Sequence, residues 1–151
     1  MAEIEGLREF LRTLERLPDG IAPKGGGPFE RALRAGAGVW RDSAKQIASG
    51  IGPGKKTGRT KEYGRLKDNI SVRKDDDPQA NGFTHRFTVS YGKAFWGKYV
   101  ELGTEAFKDK RDYPSTPFLR PAFDQNKDAI LQKISQTLRR DIPKAVQDAK
   151  R

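Results

Sequence analysis

Two stretches rich in glycine, proline and charged residues divide this chain of 151 residues and limit where regular structure can form. We interpret residues 18–28 as a linker and residues 49–65 as a mobile basic loop, because neither stretch offers enough apolar side chains to pack. The length fits one domain of roughly 150 residues. We therefore predict a single domain over residues 1–151, with its core at 29–142 and a C-terminal tail at 143–151.

Apolar residues at helical spacing predict amphipathic helices on either side of these stretches. The first occupies residues 1–17, and the second begins near Pro28, which suits the first turn of a helix. In the second helix Gly36 and Gly38 each cost about 1 kcal/mol of helix propensity, so either another backbone packs closely there, which we favour, or the helix is locally soft. A long helix is predicted in the last third of the chain, and Pro143 kinks it or separates a short terminal turn. The three apolar stripes are Ile4, Leu7, Leu11 and Leu14; Phe29, Leu33, Ala37 and Trp40; and Phe123, Ile130, Ile134, Leu138 and Ile142.

Between the second and the last helix the pattern changes to that of strands. Residues 66–74 and 83–91 predict two strands, the second from a clean alternation of apolar and polar side chains, and a turn-rich connection favours antiparallel pairing. Residues 94–102 fit either a short helix or a strand. The predicted fold class is α+β, with N-terminal helices and a long C-terminal helix packed on a small antiparallel β-sheet.

Several kinds of chemistry lack the residues they need. The chain contains no cysteine, which excludes disulfides and thiolate sites, and its one histidine, His85, lies on the apolar face of its predicted strand. Residues 49–57 fail the pattern of a phosphate-binding loop, and the acids at 75–77 lack the spacing of a calcium loop. No secretory signal or membrane-spanning run is present in the sequence. We expect no enzyme, no metal, no cofactor and no membrane contact.

The positive charge is the strongest unexplained signal. Lysine and arginine total 30 against 20 acidic residues, so the net charge of +10 attracts polyanions over a long range. Six basic residues in and just after the predicted loop are candidates for contact with DNA or a protein partner: Lys55, Lys56, Arg59, Lys61, Arg65 and Lys67. They match no base-reading motif, so a DNA backbone, an acidic protein surface and solvent are the alternatives.

Four stretches in order carry a family resemblance. The helix at 29–48 precedes the basic loop, and residues 63–70 are similar to the pattern Thr-Gly-x-Leu-x-x-Ser-Ile, with Tyr63 and Asn69 at the Thr and Ser positions. Residues 89–92 and 96–104 are similar to a strand followed by Tyr-Ala-x-x-Val-Glu-x-Gly-Thr, and residues 117–122 read Pro-Phe-Leu-Arg-Pro-Ala. Together they resemble the phage tail-completion family, small proteins of the head–tail joint in long-tailed bacteriophages.

The resemblance implies an α+β fold and a structural role in the virion, at the head-proximal end of the tail. It implies a ring of copies that contacts the tail tube, terminator and stopper proteins, with nonspecific contact to genomic DNA and assembly in the host cytoplasm. The alternatives are a terminator that caps the tail tube and, from a different class, a nonspecific DNA-binding protein. The motif residues that the resemblance marks as interface candidates are Trp96, Tyr99, Glu101, Gly103, Thr104, Pro117, Phe118, Leu119, Arg120 and Pro121.

The same motifs predict local structure on physical grounds. Glu101 is positioned to cap or turn the chain, and Gly103 to supply a backbone conformation that other residues resist. Pro117 and Pro121 restrict the residues before them to extended geometry, which predicts that Phe118 and Leu119 form a rigid apolar anchor at the start of the last helix. Whether these two apolar side chains pack in the chain's own core or at a subunit interface stays open at this point.

Overall fold

The computed structural model describes residues 27–51, 64–75, 85–104 and 114–149, with side chains up to residue 147. Its elements, in chain order, are α1 (Pro28–Ser49), α2 (Leu66–Asn69), β1 (Ser71–Lys74), β2 (Phe87–Ser90), α3 (Gly97–Leu102) and α4 (Leu119–Ala149). The predicted α+β class is confirmed. The predicted helix at 1–17, most of the linker and most of the basic loop lie outside the described residues.

The two strands pair antiparallel, as predicted. Val72 lies opposite Val89, and Arg73 lies opposite Thr88. Val89 is buried whereas Arg73 and Thr88 are exposed, so one face of the pair meets the core and the other carries polar side chains.

The first part of the region predicted as a strand is helical instead. Residues 66–69 form the single turn α2, and the strand begins only at Ser71. Leu66 and Ile70 are both buried, but their spacing of four residues places them on one face of a helical turn and of an alternating strand alike. The strand prediction is wrong for residues 66–69.

Helix α1 lies between the sheet and α4. On its sheet side, Glu30 accepts a hydrogen bond from Lys74 Nζ at 2.8 Å, and the Arg34 guanidinium lies 5.6 Å from the centre of the Phe87 ring. The apolar core lies at the C-terminal half of α1, where side chains of the sheet, α2 and the start of α4 converge on it. The buried core residues are Ala44, Ala48, Leu66, Ile70, Val89, Ala94, Phe118 and Ala122.

Helices α1 and α4 run antiparallel along their length. Arg31 pairs with Asp141 near one end of the contact, and Asn126 donates to Ser43 Oγ near the other. Between these ends a Cβ on Gly36 would lie 2.6 Å from Ile134 Cγ1, so the α1 backbone sits directly against α4. The predicted close approach is confirmed at Gly36 and is wrong at Gly38, where the nearest atom to an added Cβ is Arg41 Nη2 at 4.0 Å.

The two glycines of α1 should respond to substitution in opposite directions. Gly38 has open space around it, so Gly38→Ala is expected to stabilise the protein by about 0.5–1 kcal/mol through helix propensity. Gly36→Leu forces several carbons into the contact with Ile134 and is expected to destabilise it by about 1–3 kcal/mol. Urea unfolding of the two variants tests this, and equal midpoints for them would contradict the close helix contact.

Helix α4 bends at a different place from the one predicted. Asn126 has φ −119° and ψ 15°, and its Nδ2 donates both to Ser43 Oγ and to the Ala122 carbonyl, each at 2.9 Å. A side chain that inserts into the helical hydrogen bonds is a known cause of a kink. The helix continues through Pro143 to Ala149, so Pro143 does not end it. Pro143 is exposed, where water can bond the carbonyl that its missing N–H leaves free.

Residues 94–102, which the sequence left open between helix and strand, contain the short helix α3. The chain turns into it at Gly97, where an added Cβ would lie 2.6 Å from Cγ of the Tyr91 ring. Glycine at this position lets α3 fold back onto the residue that follows β2.

A buried carboxylate links the far end of α4 to α1. Asp141 accepts hydrogen bonds from Arg140 Nε at 2.7 Å and from Arg31 Nε at 2.8 Å, while its side chain is only 7% exposed. The hydrogen bonds from Arg140 and then Arg31 lower the pKa of Asp141 to about 2.

The ion pairs of Asp141 with Arg31 and Arg140 predict that the stability of the protein falls with pH over a defined acidic range. An unfolded aspartate titrates near pH 3.9, so as the pH falls from about 4 to about 2 the unfolded chain takes up the proton first and the stabilisation by Asp141 is lost. The urea midpoint of the wild type should fall more steeply in that window than that of Asp141→Asn. Asp124→Asn is the matched control, because that carboxylate is exposed beside Lys127, and it should follow the wild type. Equal slopes for the wild type and Asp141→Asn would refute the prediction.

Candidate assembly site at the start of the C-terminal helix

One carboxylate joins the two motif stretches that are most specific in the sequence. Glu101, in α3, accepts hydrogen bonds at Oε2 from the backbone N–H of Phe118 at 2.7 Å and of Leu119 at 2.9 Å. Its Oε1 accepts a third from the N–H of Arg120 at 3.0 Å. We call this arrangement the Glu101 cap.

The cap accounts for the free donors at this end of α4. The first N–H groups of a helix have no partner within it, and here three of them bond to Glu101. The next residue, Pro121, has no N–H to satisfy. A negative charge beside a helix N-terminus is also favoured by the helix dipole. Glu101 therefore caps the chain, as predicted, and the helix it caps is a remote one.

Backbone hydrogen bonds made by the residues before and after Glu101 fix its position in α3. Its last turn closes through the N–H of Gly103, which bonds to the Tyr99 carbonyl at 2.8 Å. Gly103 has φ 76° and ψ 166°, a conformation almost restricted to glycine, so the prediction for this position is confirmed. The N–H of Thr116 bonds to the Val100 carbonyl at 2.7 Å, which aligns the segment before α4 with α3.

The apolar residues beside the cap divide between core and surface. Phe118 is 0% exposed and belongs to the core of this chain, which decides between the two alternatives left open for it. Leu119 packs partly against the same core, and its carbonyl accepts a hydrogen bond from Trp40 Nε1 at 2.8 Å. Trp96 also packs against the core while it remains partly accessible, and Thr104 is buried.

The outer side of this region presents residues that could meet a partner. Leu102, directly after Glu101, is 52% exposed, and Phe95, before α3, is 43% exposed. Pro117, just before the capped N–H groups, and the side chain of Arg120, the last capped residue, are exposed as well. The region thus combines apolar surface with a cation on a rigid backbone, a composition found at protein interfaces.

The carboxylate itself is poorly placed for acid–base chemistry. Oε2 of Glu101 accepts two backbone hydrogen bonds and Oε1 accepts one, so three of the roughly four acceptor positions of the carboxylate are occupied by the protein itself. Within the described ranges, no three residues among His, Cys, Asp and Glu lie close enough together to hold a metal ion. In the same part of the chain, no helix combines the length and apolarity that a membrane span requires.

Two of the six basic candidates lie among the described residues. Lys55, Lys56, Arg59 and Lys61 lie outside the described residues. Arg65 is exposed just before α2, and Lys67 is half-buried within it.

Sequence reasoning missed the side-chain contacts that tie the helices together. Trp40 appeared only as part of an apolar stripe, although its ring nitrogen fixes the start of α4 and its ring packs edge-to-face on Phe123 at 5.1 Å. Asn126 carried one usable signal, because an asparagine inside a helix often bonds the carbonyl four residues earlier. The pairing of Arg31 with Asp141 spans 110 positions and had no local signal.

No protein-family model matches the chain, and no curated protein and no solved structure is significantly similar to it.

Proposed function

We propose that this chain is a structural, non-enzymatic protein of the head–tail joint of a long-tailed bacteriophage, where it completes the tail and allows the head to attach. The observation that carries the proposal is the Glu101 cap. The Val-Glu-x-Gly-Thr motif and the Pro-Phe-Leu-Arg-Pro-Ala motif lie at 100–104 and 117–122, and the resemblance rests mainly on these two. In the fold they form one unit, with the glutamate of the first bonded to the backbone of the second.

The Glu101 cap makes this part of the fold rigid, which is the property that a structural protein needs. Three hydrogen bonds fix the angle between α3 and a helix of 31 residues, and the buried Phe118 anchors the same point in the core. A rigid corner of this kind presents neighbouring surface residues in a constant geometry. Assembly into a ring requires that geometry, because each copy must meet the next one at the same angle.

In this proposal the exposed residues around the cap contact the neighbours. Leu102 supplies apolar surface, and Arg120 supplies a charge that can pair with a partner carboxylate. The partners are further copies of the chain and the tail tube, terminator or stopper proteins. The genomic DNA would be contacted without sequence preference by the basic residues near the loop.

Deleting the gene in the phage that carries it tests the role. Filled heads and tails of normal length that fail to join are the expected products. Overlong tails would assign the terminator role instead, and normal virions would overturn the proposal.

Complementation tests the proposed contact surface. A gene carrying Leu102→Asp together with Arg120→Glu should not restore joined particles, because both changes fall on the exposed side of the cap. Arg139→Glu is the matched control, since this arginine is exposed on α4 far from the cap, and it should restore them. If the double variant restores joining, the partners bind elsewhere.

The remaining alternative, a free DNA-binding protein, makes a separate prediction. The isolated chain would then bind DNA tightly at low salt, and affinity would fall steeply as salt rises because contacts to phosphates release counterions. Replacing Lys55, Lys56, Arg59, Lys61, Arg65 and Lys67 with Gln would abolish that binding. Absence of DNA retention at low salt would remove this alternative.

A further inference from the structure

One buried carboxylate holds two arginines from different helices beside each other. Arg31 Nε, in α1, and Arg140 Nε, in α4, donate to the two oxygens of Asp141 at 2.8 Å and 2.7 Å. The side chains of Arg31 and Arg140 are 53% and 64% exposed, whereas that of Asp141 is 7% exposed. The acid next to Arg31 in the chain, Glu30, pairs instead with Lys74 on the sheet side. Two positive charges therefore share one negative charge at the surface, and we call Arg31, Arg140 and Asp141 the Asp141 cluster.

Helix α4 extends this positive surface in both directions from the Asp141 cluster. Lys133 precedes Arg140 by seven residues and Lys144 follows it by four, so the three cations lie within about 40° of one another around the helix. They span about 17 Å along its axis. All three are exposed. We call the Asp141 cluster together with Lys133 and Lys144 the basic face.

The basic face has few acids to offset its charge. Between residues 129 and 147 Asp141 is the only acidic residue of the sequence, and its charge is already shared by two arginines. The next acids along the sequence, Asp128 and Asp148, come before and after this stretch. The basic face therefore carries four positive charges against one negative charge, and a surface of this kind attracts anions.

The composition of the basic face indicates which kind of anion it suits. Among the described residues the exposed large apolar side chains are Phe95, Leu102 and Phe123, and none of them lies in this part of α4. A protein interface has an apolar core, which the basic face lacks. Binding to a DNA backbone needs only cations, because the release of counterions from the phosphates supplies the affinity. Guanidinium groups also match the geometry of phosphate oxygens, so charge complementarity favours DNA over an acidic protein.

We propose that the basic face binds the phosphate backbone of duplex DNA without reading its sequence. Its two arginines and two lysines contact phosphates, and Asp141 is a positioning residue that holds the two guanidinium groups in a fixed orientation. Side chains that are fixed before binding lose less entropy on association. This inference does not depend on the role at the head–tail joint, and none of these residues belongs to the six basic candidates in and after the loop.

The salt dependence of DNA binding by the full-length protein tests the inference. Fluorescence anisotropy with a labelled duplex of about 20 base pairs, between about 50 and 200 mM salt, gives the affinity and its salt slope. Arg140→Gln and Lys144→Gln should each weaken binding about eightfold at about 0.1 M salt and reduce the slope by about 0.9, the value of one phosphate contact. Lys144→Gln leaves the Asp141 cluster intact. Arg139→Gln is the matched control, because Arg139 is exposed on the same turn but lies about 100° around the helix from Arg140, and it should leave the slope unchanged.

Three results of this titration would overturn the inference. They are undetectable binding by the wild type, the wild-type slope in both Arg140→Gln and Lys144→Gln, and an equal loss of slope in Arg139→Gln. The last result would show that binding follows overall charge and not the basic face. Far-UV circular dichroism reports for each variant that the helices are folded.

Two further measurements separate the alternatives. Asp141→Asn makes the net charge more positive but no longer holds both arginines, so we expect DNA affinity at least about twofold lower, whereas charge alone would raise it. Tighter binding by Asp141→Asn would overturn the positioning role. Polyglutamate in place of DNA stands for an acidic protein. If Arg140→Gln weakened binding to polyglutamate and left binding to DNA unchanged, the basic face would belong to a protein partner and the inference would be overturned.

Discussion

Replacing Phe118 with Ala is expected to lower the free energy of unfolding by about 3–5 kcal/mol, the range measured for truncating buried phenylalanines. Phe118 is 0% exposed and is the largest fully buried side chain in the core. Its removal leaves a cavity in the core cluster that also contains Ile70, Val89 and Ala122, and the Glu101 cap holds the backbone of residues 118–120 in place. Because whole domains are stable by only about 5–15 kcal/mol, this single change should be visible as a large shift of the urea midpoint.

Phe95→Ala provides the matched comparison. Phe95 is 43% exposed and packs edge-to-face on Trp96, so its truncation should cost about 0.5–1.5 kcal/mol. If both variants lost the same small amount of unfolding free energy, Phe118 would not be the anchor of the core. Circular dichroism of Phe118→Ala at low temperature reports whether the variant remains folded before the titration.

The second large effect is expected at Glu101. Glu101→Ala should destabilise the protein by about 2–3 kcal/mol, because removing a single-residue helix cap already costs about 0.5–2 kcal/mol and three backbone N–H groups lose a charged acceptor here. Hydrogen exchange at the amides of residues 118–120 should accelerate beyond the change in global stability. That local effect distinguishes the loss of a cap from general destabilisation.

Glu101→Gln separates geometry from charge. Its one carbonyl oxygen can replace part of the cap, but its amide nitrogen is a donor that faces another donor, so we expect a loss between those of the wild type and Glu101→Ala. Glu30→Ala is the control for removing a carboxylate elsewhere. Its partner is the exposed Lys74, and surface pairs are worth about 0–1 kcal/mol. If Glu101→Ala cost no more than Glu30→Ala, the cap would not stabilise α4.

The local features of the site could be predicted from the sequence. At Gly103 the residue type indicates a backbone conformation with positive φ, because only glycine adopts it without a steric cost. At Glu101 the residue type indicates capping, because a carboxylate can accept hydrogen bonds from free backbone N–H groups. The partner of Glu101 could not be predicted. Phe118 follows Glu101 by 17 positions, and nothing in the residues themselves fixes how that length of chain returns.

The same limit explains the errors in the helical regions. Pro143 is a strong local signal for an interruption, yet the helix passes through it and bends at Asn126. The bend depends on Ser43, which is 83 positions away, and so on how α1 lies against α4. In residues 66–69 the burial of Leu66 by α1 favoured a helical turn over the strand that the apolar pattern also allowed.

By itself the sequence determined the fold class, the antiparallel strand pair, the close contact at Gly36 and the lack of thiol chemistry. Each of these depends on residue type or on a period of two or four residues, which short-range sterics and hydrophobic patterning control. Only the tertiary structure decided that Phe118 belongs to the core, that Glu101 caps α4 and that Arg31 pairs with Asp141 across the contact of α1 with α4. These features join residues far apart in the chain, and their positions are set by how whole helices pack.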